Sequence, residues 1–231
     1  MPNLEAWKNH YGKQPYDTET DPRQDTTKES FAATMLNVFE SSELLTKMKD
    51  KQLEILASSV GSGSKDQELL KQLDKLIEQK GGVTQNITLS DFAKTQSGES
   101  VIEKPEGKLE NIDVDTVVAD SRDLPFPDDS LDAIYERLGA LYHAANTDAS
   151  PDTNQQASTA KILGEYLRAL KKDGVLIFDW FNENTDISTA DAIKEALHIE
   201  SLEKFFKKYN CEVSLAGNED TYLIVSRLSE Q

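Results

Sequence analysis

A carboxylate, Asp120, stands just past the end of a short apolar run, Thr116-Val117-Val118-Ala119. β-Branched residues bounded by turn formers predict a buried strand, and the carboxyl edge of an open parallel sheet is where ligands bind. A carboxylate on that edge can accept hydrogen bonds from a ligand. Leu124-Pro125-Phe126-Pro127 follows, its prolines fixing φ and excluding helix, and leads into a second apolar run, Leu131-Asp132-Ala133-Ile134. On its residues alone, 116–134 also suits an ordinary strand–loop–strand with a surface carboxylate.

The wording of this stretch resembles the class I S-adenosylmethionine-dependent methyltransferases. Their strand-Asp-x-x-x-Leu-Pro-Phe-x-Asp-x-x-Phe-Asp pattern corresponds to Asp120, Leu124-Pro125-Phe126, Asp128 or Asp129, Leu131 and Asp132. A second landmark of that family, Glu-x-x-Arg-x-Leu-Lys-x-Gly-Gly before an apolar strand, is similar to Glu165, Arg168, Leu170, Lys171 and Gly174, with Asp173 for the first glycine. The resemblance spans residues 50–228. It implies an α/β fold: a Rossmann-like, seven-stranded, mostly parallel sheet ending in an antiparallel hairpin, with helices on both faces. That domain is expected over 51–231, after an N-terminal extension, 1–50, carrying one helix.

Gly61-Ser62-Gly63-Ser64 lies between a predicted strand at 53–60 and a predicted helix at 65–80. Strand, glycine turn and helix bring backbone N–H groups against a ligand, because glycine turns tightly and leaves no Cβ in the way. A lone Gly-Ser-Gly is a weak signal. In the resembled family this loop cradles the methionine part of S-adenosylmethionine as acid-x-Gly-x-Gly-x-Gly. Aligned on Gly61 and Gly63, the chain carries Ala57 for the acid and Ser59 for the first glycine. The family ends its second strand with an acid that grips the ribose; Thr88 falls nearest, and Asp91 substitutes if the loop curls back. Alternatively, Asp91 caps a short helix at 91–94. The resemblance further implies that Asp120 bonds the adenine amino group, with Ser121 or Arg122 beside it, and that Leu138 lines the cofactor pocket.

No general base declares itself. In the family a hydrophobic turn ending near a histidine lines the substrate pocket, here Tyr135 to His143. His143 is a candidate to orient a substrate or take a proton, although such histidines are more often structural. Tyr142 and Arg137 are pocket-wall candidates, and Asp179 and Asn182 end the next strand on the ligand edge. The candidate catalytic residues are therefore His143, Tyr142 and Asp179, and no metal ligands are expected. Residues 1–27 are a candidate lid or a packed or frayed terminus, and the small, polar stretch 144–156 is a candidate lid or a plain linker.

These side chains need elements to position them. Phe31, Met35, Val38, Phe39 and Leu45 recur at helical spacing over 27–50, and Leu69, Leu70, Leu73, Leu76 and Ile77 do so over 65–80. Ser64 and Gln67 have capping-box spacing, and Gly81-Gly82 ends that helix. Further strands are expected at 83–89, 116–119 and 131–134, with a loop over 96–115. A helix bearing Ile162, Leu163, Tyr166, Leu167 and Leu170, closed by 171–174, precedes the apolar strand 175–181. Ser188-x-x-Asp191 opens another helix, and 201–209 presents Leu202, Phe205, Phe206 and Tyr209 on one side. Strands at 211–215 and 221–226, joined by five turn-rich residues, predict an antiparallel hairpin.

Composition narrows the partners. The 231 residues hold 25 basic and 42 acidic side chains, a net charge of −17 that repels phosphate backbones and makes nucleic acid a poor partner. No run approaches the ~18 apolar residues of a membrane span. The amino terminus shows no apolar signal-peptide core. One cysteine, Cys211, excludes an intrachain disulfide and a cysteine-rich zinc site, so a reducing, cytoplasmic setting is expected. A homodimer is compatible with all of this. The expected function is methyl transfer from S-adenosylmethionine to a small molecule. The departures at Ala57, Ser59 and Thr88 keep open an eroded, methyltransferase-like binding or regulatory protein, and the acidity keeps open a methyltransferase docking on a basic protein partner.

Overall fold

Alternation of apolar side chains along the strands decides the architecture. In a computed structural model of the chain, the described residues are 28–60, 63–92, 102–103, 105–137, 139–145, 154–179, 188–217 and 222–229. Gly61, Leu138, Asn182, the candidate lid 1–27 and most of 144–156 lie outside them. Seven strands form one sheet: β1 (Glu54–Ser58), β2 (Gln85–Asp91), β3 (Ile112–Val118), β4 (Leu131–Glu136), β5 (Leu170–Asp179), β6 (Cys211–Ala216) and β7 (Tyr222–Arg227), in the order β3-β2-β1-β4-β5-β7-β6. The first five run parallel, and β7 inserts antiparallel between β5 and β6. This is the expected fold class.

Successive strand residues point to opposite faces. Ile55, Ala57, Ala133, Tyr135, Val175, Ile177 and Ile224 join one core, and Leu56, Ile134, Leu176, Phe178, Leu223 and Val225 join the other. The first core is covered by α1 (Lys28–Ser41), α2 (Leu44–Asp50) and α3 (Ser64–Lys80); the second by α4 (Ala140–Ala145), α5 (Gln155–Ala169), α6 (Thr189–Leu197) and α7 (Leu202–Lys207). Leu56, Ile134 and Leu176 are fully buried, and each such side chain contributes up to about 1.5–3 kcal/mol.

Several boundaries differ from the sequence pattern. The single helix expected over 27–50 is two, because the chain breaks at Ser42 and Glu43, the latter in left-handed conformation at φ 61°. α3 is entered from Gly63 at φ 77°, so the N-cap residue is Gly63, one position before the expected Ser64. β3 begins at Ile112 within the expected loop and lies at the sheet edge, where Asp113 is exposed. α5 stops at Ala169, and Leu170 already pairs with Leu131, so 171–174 enters the strand across a bulge. Asp173 takes φ 62° there, and a Cβ on Gly174 would sit 2.8 Å from the Lys171 carbonyl oxygen. As expected, Ser188 caps α6 with its side chain, and Ser201 caps α7 in the same way.

Candidate functional site

Strands β1 and β4 are neighbours whose onward connections run to opposite sides of the sheet, and ligands bind at such a switch point. Ser58 and Glu136, the last residues of these strands, are register partners there. The chain leaving β1 turns at Ser59, which adopts φ 58°, and re-enters helix at Gly63. Left-handed backbone costs an L residue about 1–2 kcal/mol, so Ser59 holds a conformation that glycine adopts freely. Its Oγ accepts the Ala140 N–H at 3.2 Å, and a Cβ on Gly139 would meet the Ser59 Cβ at 2.9 Å. A Cβ on Gly63 would meet Ile102 Cγ2 at 3.2 Å. The loops after β1 and β4 are thus in close contact.

Asp91 is the last residue of β2, while Thr88 lies inside the strand opposite Leu56 and Asp115. Of these two ribose candidates, Asp91 stands on the carboxyl edge. Asp120 follows β3 in a tight turn and its carboxylate is engaged. Oδ1 accepts the backbone N–H and Nε of Arg122, and Oδ2 accepts Nη2, all at 2.9 Å. Arg122 itself is buried. Charge-assisted bidentate pairing of this kind is strong and fixes orientation. A carboxylate has about four acceptor positions, so this one retains room for a further donor.

The two sequence landmarks clasp each other. Glu165 Oε2 accepts the Leu124 N–H at 3.0 Å, and Arg168 donates to the carbonyls of Leu124 and Phe126 and to Asp128. Arg168 and the Leu124 N–H hold the Glu165 carboxyl below its usual range against the opposing effect of burial. One helix therefore fixes the loop that carries Asp120, Ser121 and Arg122.

The remaining candidates separate. Tyr142 is buried in α4 and His143 half-buried beside it, their rings edge-on with centroids 5.4 Å apart. Asp179 ends β5 and is buried, its Oδ2 accepting the Thr189 hydroxyl at 2.6 Å from the start of α6. Arg137 reaches the opposite core face, its guanidinium 5.6 Å from the Phe31 ring centroid. Among the described residues no cluster of His, Cys, Asp or Glu could hold a metal, and no helix is long and apolar enough to cross a membrane.

Sequence reasoning missed a buried carboxyl at the edge. Glu136 is 1% exposed. Its Oε2 accepts the Tyr166 hydroxyl at 2.6 Å and its Oε1 the Leu141 N–H at 3.0 Å. The Tyr166 hydroxyl shares a 2.7 Å hydrogen bond with Ser58, and Ser58 shares one of 3.2 Å with Ser121. Burial pushes the Glu136 carboxyl up to about 8, with nearby Asp179 adding to the rise. A charged residue ending the fully buried strand β4 was the available signal. A second buried carboxyl, Asp66 in the first turn of α3, accepts the Tyr135 hydroxyl at 2.8 Å, and burial raises it to about 6.

A family model described as "Methyltransferase domain" matches residues 60–178, just over half of the chain. No curated protein matches it in sequence. Among solved structures, MNMC2 from Aquifex aeolicus superposes with a TM-score of 0.51 at 15% identity, over 91% of this chain and 65% of that one. At such identity the likeness shows the fold alone. A SAM-dependent methyltransferase from Methanosarcina mazei gives 0.45 at 16% identity, over 81% and 98% of the two chains. One from Aquifex aeolicus gives 0.44 at 14%, over 92% and 97%.

Proposed function

We propose that this chain, which belongs to the methyltransferase domain family, transfers a methyl group from S-adenosylmethionine to a small molecule. S-adenosylmethionine is the cofactor that family membership indicates. The observation that carries the reading is the conformation of the departed loop. Ser59 replaces the family's glycine yet turns left-handed at φ 58°, and Gly63 at φ 77° enters α3 with no side-chain cap. Backbone N–H groups at that helix start suit an anionic carboxylate, and Ala57 sets no competing negative charge beside it. The residues fit the cofactor in other respects as well. Asp91 ends β2 on the carboxyl edge and would serve as the ribose acceptor, and Asp120 would accept from the adenine amino group at its remaining position. Ser121 and Arg122 support that end, and Gly61 and Leu138 are assigned to the methionine and pocket walls by the family pattern.

Bound S-adenosylmethionine supplies a methyl already made electrophilic by its sulfonium, which leaves the protein to align donor and nucleophile and to exclude water. His143 and Tyr142 on α4 are the candidates to orient the acceptor. A net charge of −17 favours a small molecule over nucleic acid. A second reading, a binding protein without catalysis, is favoured by the burial of Asp179, which is 4% exposed and turned to Thr189 instead of towards an open site.

Calorimetric titration with S-adenosylmethionine and S-adenosylhomocysteine tests the proposal. Micromolar binding is expected, ~8 kcal/mol at 1 μM. Asp120→Ala should weaken it about tenfold or more through a lost charge-assisted bond, and His143→Ala far less. Equal binding by parent and both variants would put the adenine elsewhere. No heat and no thermal shift in the parent would remove the cofactor site. Binding without turnover of any screened small acceptor would favour the second reading.

A further inference from the structure

The buried carboxyl at the switch point reaches the ligand edge through hydroxyls alone. Glu136 meets Tyr166, Tyr166 meets Ser58, and Ser58 meets Ser121 at 2.6, 2.7 and 3.2 Å. Ser121 also lies within hydrogen-bonding reach of the Tyr166 hydroxyl. All four residues are buried, Ser121 the most accessible of them at 8%. It directly follows Asp120 in the turn held by Arg122. A hydroxyl can donate one proton and accept at two lone pairs, so such a chain has two directions.

We propose that Glu136 is a positioning residue for the cofactor: acting through Tyr166 and Ser58, it sets whether the Ser121 hydroxyl offers the ligand a donor or an acceptor. This rests on the adenine lying beside Asp120, as read above. When Glu136 is ionised, Tyr166 donates to it, and the serine protons follow inward towards Tyr166 and each other. Ser121 then presents only lone pairs outward. A neutral Glu136 brings a fourth proton and donates to the Tyr166 oxygen. Tyr166 donates on to Ser58, Ser58 to Ser121, and the Ser121 proton is released for an acceptor outside the cluster. No bond other than hydrogen bonds changes, and the proton that Glu136 gains or loses is exchanged with solvent. Adenine offers acceptor ring nitrogens beside its amino group, so the neutral state is the one that matches it.

The setting suits a proton held near neutrality. Asp179 is the other carboxyl bearing on Glu136, from β5, and it opposes ionisation; Tyr166 faces it from α5, and α4 carries Tyr142 and His143. The end of β1 contributes Ser58, and the turn after β3 brings Ser121 beside the Asp120–Arg122 pair. Arg137, the residue after β4, lies over Phe31 on the opposite face. Burial raises Glu136 to about 8, and the N–H groups of the α4 start and the Tyr166 hydroxyl oppose that rise.

The test follows S-adenosylhomocysteine affinity from pH 6.5 to 9.5 alongside the infrared carboxyl band lost in Glu136→Gln. The parent should bind best with Glu136 neutral and lose about tenfold in affinity, the worth of one hydrogen bond, with the midpoint at which the band titrates. Glu136→Gln, which keeps a donor towards Tyr166, should bind with no dependence over this range. Tyr166→Phe should also be flat while its Glu136 band still titrates, because the relay is cut and not the acid. Ser121→Ala should lose the dependence too. A purely structural role predicts that Tyr166→Phe shifts affinity equally at every pH and keeps the slope, which would overturn the proposal. So would a parent whose affinity is unchanged while the band titrates, and that result would leave the cofactor site itself intact. A parent that binds at no pH sinks both readings.

Discussion

Gly139 offers a sharp test of how the loops after β1 and β4 fit together. A Cβ added there would lie 2.9 Å from the Ser59 Cβ, 3.1 Å from Glu136 Oε2 and 3.2 Å from the Glu136 Cβ. Contacts under 3.0 Å force movement, and both nearest carbons are held by backbone. Gly139→Ala should therefore destabilise by about 1–3 kcal/mol, the usual range for overpacking. Ser59→Gly removes the closest obstacle. Alone it relieves the left-handed strain, about 1–2 kcal/mol, and loses a hydrogen bond to Ala140 of about 0.5–1.5 kcal/mol together with chain entropy, so it should be near neutral. In the double variant the 2.9 Å contact is gone and the Glu136 contacts remain, so most of the loss should be recovered. Urea unfolding of the four proteins gives the coupling energy, expected to exceed about 1 kcal/mol. Additive effects within about 0.5 kcal/mol would refute the close approach of the two loops.

Two further outcomes follow from groups elsewhere in the fold. Asp132 lies at the amino edge, where burial opposes its ionisation but the Glu54 N–H, Lys171 and Lys51 together hold its pKa below the usual value. A depressed carboxylate contributes stability that is present above its unfolded pKa and is lost as pH falls through the folded one. Asp132→Asn should thus cost about 1–3 kcal/mol in urea at pH 7, a gap that should narrow in acid below about pH 4. A gap independent of pH would mean that packing, not charge, is what the substitution removes. Cys211 is buried, which raises its thiol pKa despite nearby Arg227, so it should resist alkylation at pH 8 until denaturant is added. Rapid labelling of the native protein would contradict its place in the core.

Much of the fold was legible because it is written in local periodicity. Ile55, Leu56 and Ala57, or Val175 to Phe178, read as strands buried on both faces, and the serine cap at 188 reads as a helix start. The pairing of β6 with β7 followed from a short turn-rich connection. Legibility failed where one position obeyed a non-local demand. The break at Glu43 interrupts a continuous apolar pattern, and β3 extends into polar residues because an edge strand leaves Asp113 in water.

The candidate site divides in the same way. Its landmarks, Asp120 with Leu124-Pro125-Phe126 and Glu165 with Arg168, stand in the linear sequence, and so does the family they resemble. That the second landmark clamps the first appears only when α5 packs beside the loop. The sequence likewise named Asp120 and Arg122 as neighbours, but their mutual pairing depends on a turn that folds one onto the other. Glu136 shows the difference most plainly. Its type and position are primary structure, whereas its proton affinity arises from lost water, Tyr166 thirty residues away and Asp179 on the next strand. Periodicity and turn chemistry act over a few residues and can be read directly, while desolvation and pairing depend on which distant side chains the sheet order brings together.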